Sequence, residues 1–118
     1  MPERRQPLFF PRLTKGAGST TVDLVTPRVP RGEHWVISHV TWEDETTAYT
    51  SARLFRRSAS DPSYLSEELS GAAGVLYWDD EEYRLAEGEE MGVRLTGTTS
   101  GDILRASFSG YRVVAEGA

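Results

Sequence analysis

The sequence contains no cysteine, so it can form neither a disulfide framework nor a thiolate metal site. Histidine is almost as scarce, with only His34 and His39, five positions apart in one predicted strand. Side chains five positions apart in a regular strand point to opposite faces, so we expect these histidines not to share a metal ion. The scarcity of both residue types therefore excludes the commonest metal sites.

Long apolar segments are missing as well. No run approaches the roughly 20 residues that a membrane-spanning helix needs. The charged N-terminus is not followed by an apolar stretch of signal-peptide length. We therefore expect a protein with no membrane partner and no cleaved export signal, and its 118 residues fit a single domain.

Negative charge predominates, but it is unevenly distributed. The formal net charge is −5, while residues 1–19 carry four basic side chains against Glu3 alone. The body that follows is therefore strongly acidic, and an acidic surface repels phosphates. The charge pattern argues against a direct nucleic-acid partner.

The motifs of common active sites are also absent. The chain has no Walker-type glycine loop, no dinucleotide fingerprint and no Gly-x-Ser-x-Gly elbow. The acidic runs 43–45 and 79–82 lack the spacing of a calcium loop, and we expect them to be solvated hairpin tips. These observations predict a non-enzymatic protein with no cofactor, no catalytic residue and no metal site.

What the sequence does contain is a succession of short strand patterns. From Thr20 onward, runs rich in β-branched and aromatic residues alternate with turn residues roughly every 8–15 positions. No apolar stripe keeps helical spacing for three turns. About eight strands in one small domain predict an all-β, antiparallel two-sheet sandwich, of jelly-roll type, with an immunoglobulin-like sandwich as the alternative.

The first 19 residues predict a separate feature. We interpret residues 1–19 as an extended N-terminal arm and hinge, and residues 20–118 as the β-sandwich domain, because three prolines in this stretch cannot donate to a ladder. The alternative is a disordered terminus, but the arm is too apolar for a purely solvated tail. Trp78, beside an acidic turn, is the best candidate for an exposed aromatic residue. The predicted partner or subunit interface consists of Arg4, Arg5, Leu8, Phe9, Phe10, Arg12 and Trp78.

Two segments of the chain repeat one pattern, an apolar residue followed by Gly-Glu and a large apolar residue at identical offsets. Glycine at such a turn supplies the positive φ that other residues avoid, and the next strand then begins with a core residue. Two related corners of one sandwich would produce this repetition, and chance similarity between two tight turns is the alternative. The segments are Val29-Pro30-x-Gly32-Glu33-x-Trp35 and Leu85-x-x-Gly88-Glu89-x-Met91.

Residues 22–114 resemble small β-sandwich virion proteins of tailed bacteriophages, especially capsid decoration and accessory proteins. The resemblance lies in the order of strand and turn residues in these two segments and in the closing segment Phe108-x-Gly110-Tyr111. The resemblance implies a non-enzymatic protein that forms a homo-oligomer, with a trimer favoured, and binds the major capsid protein or other virion proteins. It implies a location in the virion, with assembly in the host cytoplasm. A tail or head–tail accessory virion protein and a carbohydrate-binding β-sandwich module are the alternatives.

Overall fold

The computed structural model describes residues 3–14, 20–58 and 61–115. This part of the chain forms nine strands. It includes no helix long and apolar enough to cross a membrane. The strands are β1 (Glu3–Thr14), β2 (Thr21–Val25), β3 (Glu33–Asp44), β4 (Tyr49–Arg57), β5 (Ser63–Gly71), β6 (Tyr77–Asp79), β7 (Tyr83–Leu85), β8 (Glu90–Thr96) and β9 (Leu104–Ala115).

These strands form two antiparallel sheets packed face to face. Sheet A has the order β1-β9-β3-β6, with β7 also paired to β3, and sheet B has the order β2-β8-β4-β5. The chain passes repeatedly from one sheet to the other, so strands distant in sequence become neighbours. This is a jelly-roll arrangement, and it confirms the predicted all-β sandwich rather than the immunoglobulin-like alternative.

The core lies between the sheets and follows from alternation along the strands. In β8, Met91, Val93 and Leu95 are all fully buried, as the alternating pattern predicts. From the opposite sheet, β3 contributes Ile37 and Trp42 to the same cluster. Large side chains at alternate positions of both sheets therefore fill one continuous core.

The two repeated glycine segments form a pair of matching corners. Gly32 and Gly88 both have φ of 82°, in the left-handed region. The corners also bond to each other, because the Val29 amide donates to the Glu89 carbonyl and the Gly88 amide donates to the Val29 carbonyl, at 2.8 and 2.9 Å. Both segments therefore form glycine turns at neighbouring corners of the sandwich.

The N-terminal segment is extended, but it is not separate from the sandwich. Residues 3–14 pair with β9 along their whole length. Leu8 and Phe10 pack against the core, and the Phe10 ring stacks on Trp35 at 5.1 Å. An edge strand tolerates Pro7 and Pro11, which lack an amide hydrogen. The domain boundary at Thr20 is therefore wrong for residues 3–14, while the predicted hinge at 15–19 lies outside the described residues.

A β-bulge in β3 corrects a second expectation. The register against β9 shifts between Ile37 and His39, so one extra residue separates the two histidines in the ladder. His34 pairs with Val113 and His39 with Ser109, which places both histidines on the outer face of sheet A. The prediction that they point to opposite faces is wrong, because it assumed a regular strand.

Candidate interaction surface and acidic cleft

The outer face of sheet B is covered in its centre by charged side chains, while Tyr64 and Leu69 of β5 stay exposed near its edge. Phe55 is fully buried in that central part, with the guanidinium carbons of Arg57 and Arg94 at 5.0 and 5.4 Å from its ring centroid. Arg94 also donates two hydrogen bonds to the Asp23 carboxylate, at 2.8 and 3.0 Å, and these bonds raise the pKa of the guanidinium. Arginine stacking and ion pairing thus leave little apolar surface open on this part of sheet B.

The outer face of sheet A is different. Four paired residues form a row across the strands β1, β9, β3 and β6. They are, in that order, Pro11, Ser107, Thr41 and Trp78. Trp78 is 62% exposed, which confirms the expected exposed aromatic residue, and Phe9 on β1 is 65% exposed. Since three strand spacings separate β1 from β6, the two edges lie about 14 Å apart. Ser107 and Thr41 lie in the row that ends at Trp78, and the row of Phe9 continues through Ser109 to His39, which is paired with Asp80.

A shallow depression on this face extends the apolar area. It has a volume of about 450 Å³ and includes Pro11, Thr41, Leu76 and Ser107 in its lining. Leu76 lies in the segment after β5 and is 50% exposed. We use the term sheet A surface for the outward side chains of Phe9, Pro11, Thr41, Leu76, Trp78 and Ser107.

The predicted interface residues do not form one patch. Leu8 and Phe10 are half-buried toward the core, so they hold β1 in place and are not available to a partner. Arg12 is also half-buried, and its Nε donates to the Val25 carbonyl at 2.7 Å. Arg5 is exposed and its guanidinium carbon lies 4.7 Å from the centre of the Tyr111 ring.

Three of the predicted residues on β1 remain exposed, namely Arg4, Arg5 and Phe9, while Trp78 occupies the opposite edge of the sheet. Sequence reasoning missed Leu76. The sequence feature that could have indicated an exposed Leu76 is the apolar pair Val75-Leu76, which directly follows Gly74 in a turn segment.

At the β6 edge of sheet A lies an acidic cleft, which sequence reasoning also missed. Its volume is about 370 Å³. Carboxylates from β5 of sheet B face carboxylates from β6 and the turn that follows it, and the sheets are bridged where Ser66 Oγ donates to Asp79 Oδ2 at 3.3 Å. The cleft is lined by Trp42, Ser66, Glu67, Glu68, Trp78, Asp79, Asp80 and Glu81.

The carboxylates of this cleft are only partly neutralised. Glu67 accepts a hydrogen bond from Arg53 Nε at 2.8 Å, and Asp79 accepts one from the Tyr83 hydroxyl at 2.8 Å. Glu68 and Glu81 form no ion pair with any described residue. No group of three potential metal ligands with suitable geometry occurs within ranges 3–14, 20–58 and 61–115. The cleft therefore presents negative charge without a metal-binding geometry.

A buried carboxyl pair lies at the end of the sandwich where β3 stops. Asp44 and Asp102 are 0% and 1% exposed, so the expectation that run 43–45 is a solvated tip is wrong for Asp44. Asp44 Oδ1 accepts from the amides of Thr46 and Thr47 at 2.9 and 3.0 Å, whereas Oδ2 has no hydrogen-bond donor among the described residues. Asp102 Oδ2 accepts from the Thr47 hydroxyl at 2.6 Å.

Burial, together with the neighbouring Asp102 carboxyl group, raises the pKa of Asp44. Burial acts in the same direction on Asp102, but hydrogen bonds from Asp44 and Thr47 outweigh it and lower the pKa of Asp102. A proton shared between the two carboxyl groups would satisfy Asp44 Oδ2, and the opposite directions of the two pKa shifts are what such sharing predicts.

Three residues on the outer face of sheet A belong to the residue types of a nucleophilic triad. His39 Nδ1 bonds to Asp80, and Ser109 is the ladder partner of His39. However, Ser109 makes no side-chain hydrogen bond within the described residues, and the side chain of Asp80 is 68% exposed. The arrangement lacks the serine–histidine hydrogen bond and the buried carboxylate on which such catalysis depends.

Comparison with known proteins relates the chain to folds rather than to a family. No protein-family model matches the chain, and no curated protein matches it. The crystal structure of murine APRIL shares 14% identity over 89% of this chain and 99% of its own, with a TM-score of 0.52. At this identity the likeness concerns the fold alone.

Two further solved structures are more distant. The K3 cleaved adhesin domain of Lys-gingipain from Porphyromonas gingivalis shares 16% identity over 79% of this chain, with a TM-score of 0.46, and the match spans 63% of that domain. A CBM4 structure shares 6% identity over 87% of this chain and 70% of its own, with a TM-score of 0.41. Neither likeness carries an argument about function.

Proposed function

We propose that this chain is a non-enzymatic structural protein of a bacteriophage virion that self-associates and binds the major capsid protein as a decoration or stabilising protein. The observation that carries the proposal is the sheet A surface. Phe9, Leu76 and Trp78 are exposed on that one face, whereas sheet B covers Phe55 with arginines and exposes Tyr64 and Leu69 on its edge strand β5. Exposed apolar patches of this kind typify protein–protein contact sites.

The shape of the molecule is consistent with a role in assembly. Both sheets end in edge strands, and association would shield those edges from unwanted pairing. The acidic cleft does not favour a nucleic-acid partner, because phosphates would be repelled. A tail or head–tail accessory role would use the same surface, so particle binding has to be measured directly.

The experiment is light scattering after size-exclusion chromatography over a range of protein concentrations. We expect a discrete oligomer for the full chain and a shift toward monomer for Phe9→Ser or Trp78→Ser. Leu69→Ser is the matched control, because Leu69 is 69% exposed but lies on β5 of sheet B. A monomer at every concentration that also fails to sediment with particles of the parent phage would refute the proposal.

Deletion of residues 2–15 is not a clean version of this test. It would remove an edge strand and uncover the Phe10–Trp35 contact, so loss of assembly could reflect loss of folding. Point substitutions of outward side chains avoid that ambiguity. Tryptophan fluorescence with a panel of glycans tests the carbohydrate-binding alternative, because Trp78 is the exposed reporter beside the cleft.

A further inference from the structure

We propose that the outer face of sheet A is a dimer interface, which packs on the same face of a second copy about a two-fold axis parallel to the strands. The inference rests on the proposed self-association and specifies the surface, the symmetry and the residues that meet. Antiparallel sheets pack face to face about 10 Å apart with their strands nearly aligned. Phe9, Leu76 and Trp78 are at least half exposed on this face, so it offers apolar area for such packing.

The face is large enough for a stable dimer. Its four neighbouring strands are about 4.8 Å apart, and the outward residues of β9 from Arg105 to Val113 extend about 27 Å along the strand, so the outline covers roughly 500 Å². Side chains that project from a face expose more area than its outline. The accessible area is therefore of the order of the roughly 800 Å² that each partner of a stable complex buries.

The symmetry determines which residues meet. A half-turn about an axis parallel to the strands does not shift one copy along the other, so each row of paired residues faces the same row in reverse order. With the axis between β9 and β3, strand β1 of one copy lies over β6 of the other, and β9 lies over β3. Pro11 then lies opposite Trp78 of the second copy. Ser107 lies opposite Thr41, so short side chains meet near the axis.

The relief of the face suits this arrangement. The depression of about 450 Å³ extends from Leu76, directly before β6, across the face to strand β1. Because β6 of each copy lies over β1 of the other, Leu76 and Trp78 of one copy lie above the far side of the depression in the other. Their entry removes apolar surface from water. Phe9 lies over the hydrogen-bonded pair of His39 and Asp80.

The neighbouring row supplies charge complementarity. Arg105 and Glu43 are ladder partners, so the half-turn places Arg105 of each copy opposite Glu43 of the other. Glu43 is half-buried and forms no ion pair with any described residue. Arg105 is exposed and contacts Glu45 through Nε at 3.2 Å, and a guanidinium group with five N–H donors can serve two carboxylates. A two-fold axis across the strands would place β9 over β9, so Arg105 and Glu43 would not meet.

The test uses charge reversal in the full chain. Arg105→Glu and Glu43→Arg each place like charges in both symmetry-related contacts, so each variant alone should dimerise at least about tenfold more weakly than the unchanged chain. A mixture of the two variants should dimerise tightly again, because the two reversed positions meet in one contact and the two native residues meet in the other. Mixing cannot relieve repulsion within one copy, so recovery would identify a contact between copies.

Arg53→Glu is the matched control, because Arg53 forms a half-exposed ion pair with Glu67 on sheet B, and it should dimerise like the unchanged chain. Thermal unfolding shows that each variant is folded, which we expect because exposed ion pairs contribute little to stability. Light scattering of the unchanged chain should give twice the 13.1 kDa of one chain, in place of the trimer that the resemblance implies.

A mass of three chains would overturn this inference while leaving the proposed self-association intact. The same conclusion would follow from single variants that dimerise as tightly as the unchanged chain, or from a mixture that associates as weakly as its components. An unchanged chain that is monomeric at every concentration would also overturn the inference. Only if that monomer also failed to sediment with particles of the parent phage would the proposed function be lost with it.

Discussion

The buried carboxyl group of Asp44 contributes to stability in two ways, by accepting hydrogen bonds from two amides and by interacting with Asp102. Substitution of Asp44 by Ala and by Asn should separate these two contributions. Asp44→Ala leaves the amides of Thr46 and Thr47 without their acceptor. Because an orphaned buried donor costs about 1–3 kcal/mol, we expect this variant to lose about 3 kcal/mol of unfolding free energy. Asp44→Asn keeps an oxygen for both amides and offers an N–H to Asp102, so it should lose less than about 1 kcal/mol at pH 4.

The pH dependence distinguishes the shared proton from an ordinary hydrogen bond. Since the pKa of Asp44 is raised above its ordinary value of 3.8, its contribution is fully present below pH 3.8 and is lost as pH rises through the folded-state value. Since the pKa of Asp102 is lowered from 3.8, its contribution is present above pH 3.8 and is lost as pH falls. The pair should therefore stabilise the fold most near pH 4.

Urea unfolding at pH 4 to 8 measures both effects. Relative to the unchanged chain, Asp44→Asn should gain stability as pH rises, by up to about 1.4 kcal/mol per pH unit until Asp44 ionises. The comparison cancels the titration of other carboxylates, which both proteins share. Parallel curves for the two proteins across this range, or an Asn variant as unstable as the Ala variant, would refute the shared-proton reasoning.

Three further outcomes are expected. Gly110→Ala should cost about 3 kcal/mol in urea unfolding, because its Cβ would lie 1.9 Å from the Val36 carbonyl oxygen; an unfolding midpoint equal to that of the unchanged chain would contradict this. Phe10→Ala should lower stability by about 2–3 kcal/mol and Phe9→Ala by less than about 0.5, and equal losses would mean that β1 is not docked on the core. Burial raises the pKa of Tyr83 to about 12, so stability should fall as pH rises from 10 through 12; ultraviolet absorbance that shows all tyrosines ionising at pH 10 in folded protein would exclude this.

Most of the fold could be predicted from local patterns. Alternation of apolar residues identified β8, and β-branched and aromatic enrichment identified β3, because one side of each strand has to face the core. Gly32 and Gly88 marked corners because each adopts a positive φ. Exposure of Trp78 was also predictable from its position beside an acidic turn.

The candidate site was less accessible to sequence reasoning. The cleft combines Glu68 of β5 with Glu81 after β6, and these segments meet because their sheets pack face to face. No spacing rule in one chain predicts such a meeting. The same holds for Asp44 and Asp102, which the sequence shows only as two separate turn residues.

By itself, the sequence determined the fold class, the turns and the exclusion of thiolate chemistry, because each of these depends on residue type and local periodicity. Only the tertiary structure decided that residues 3–14 join sheet A, because an edge strand and a free arm share the same extended, proline-containing pattern. It also decided that His34 and His39 share a face, since a single bulge residue reverses the alternation that sequence counting assumes.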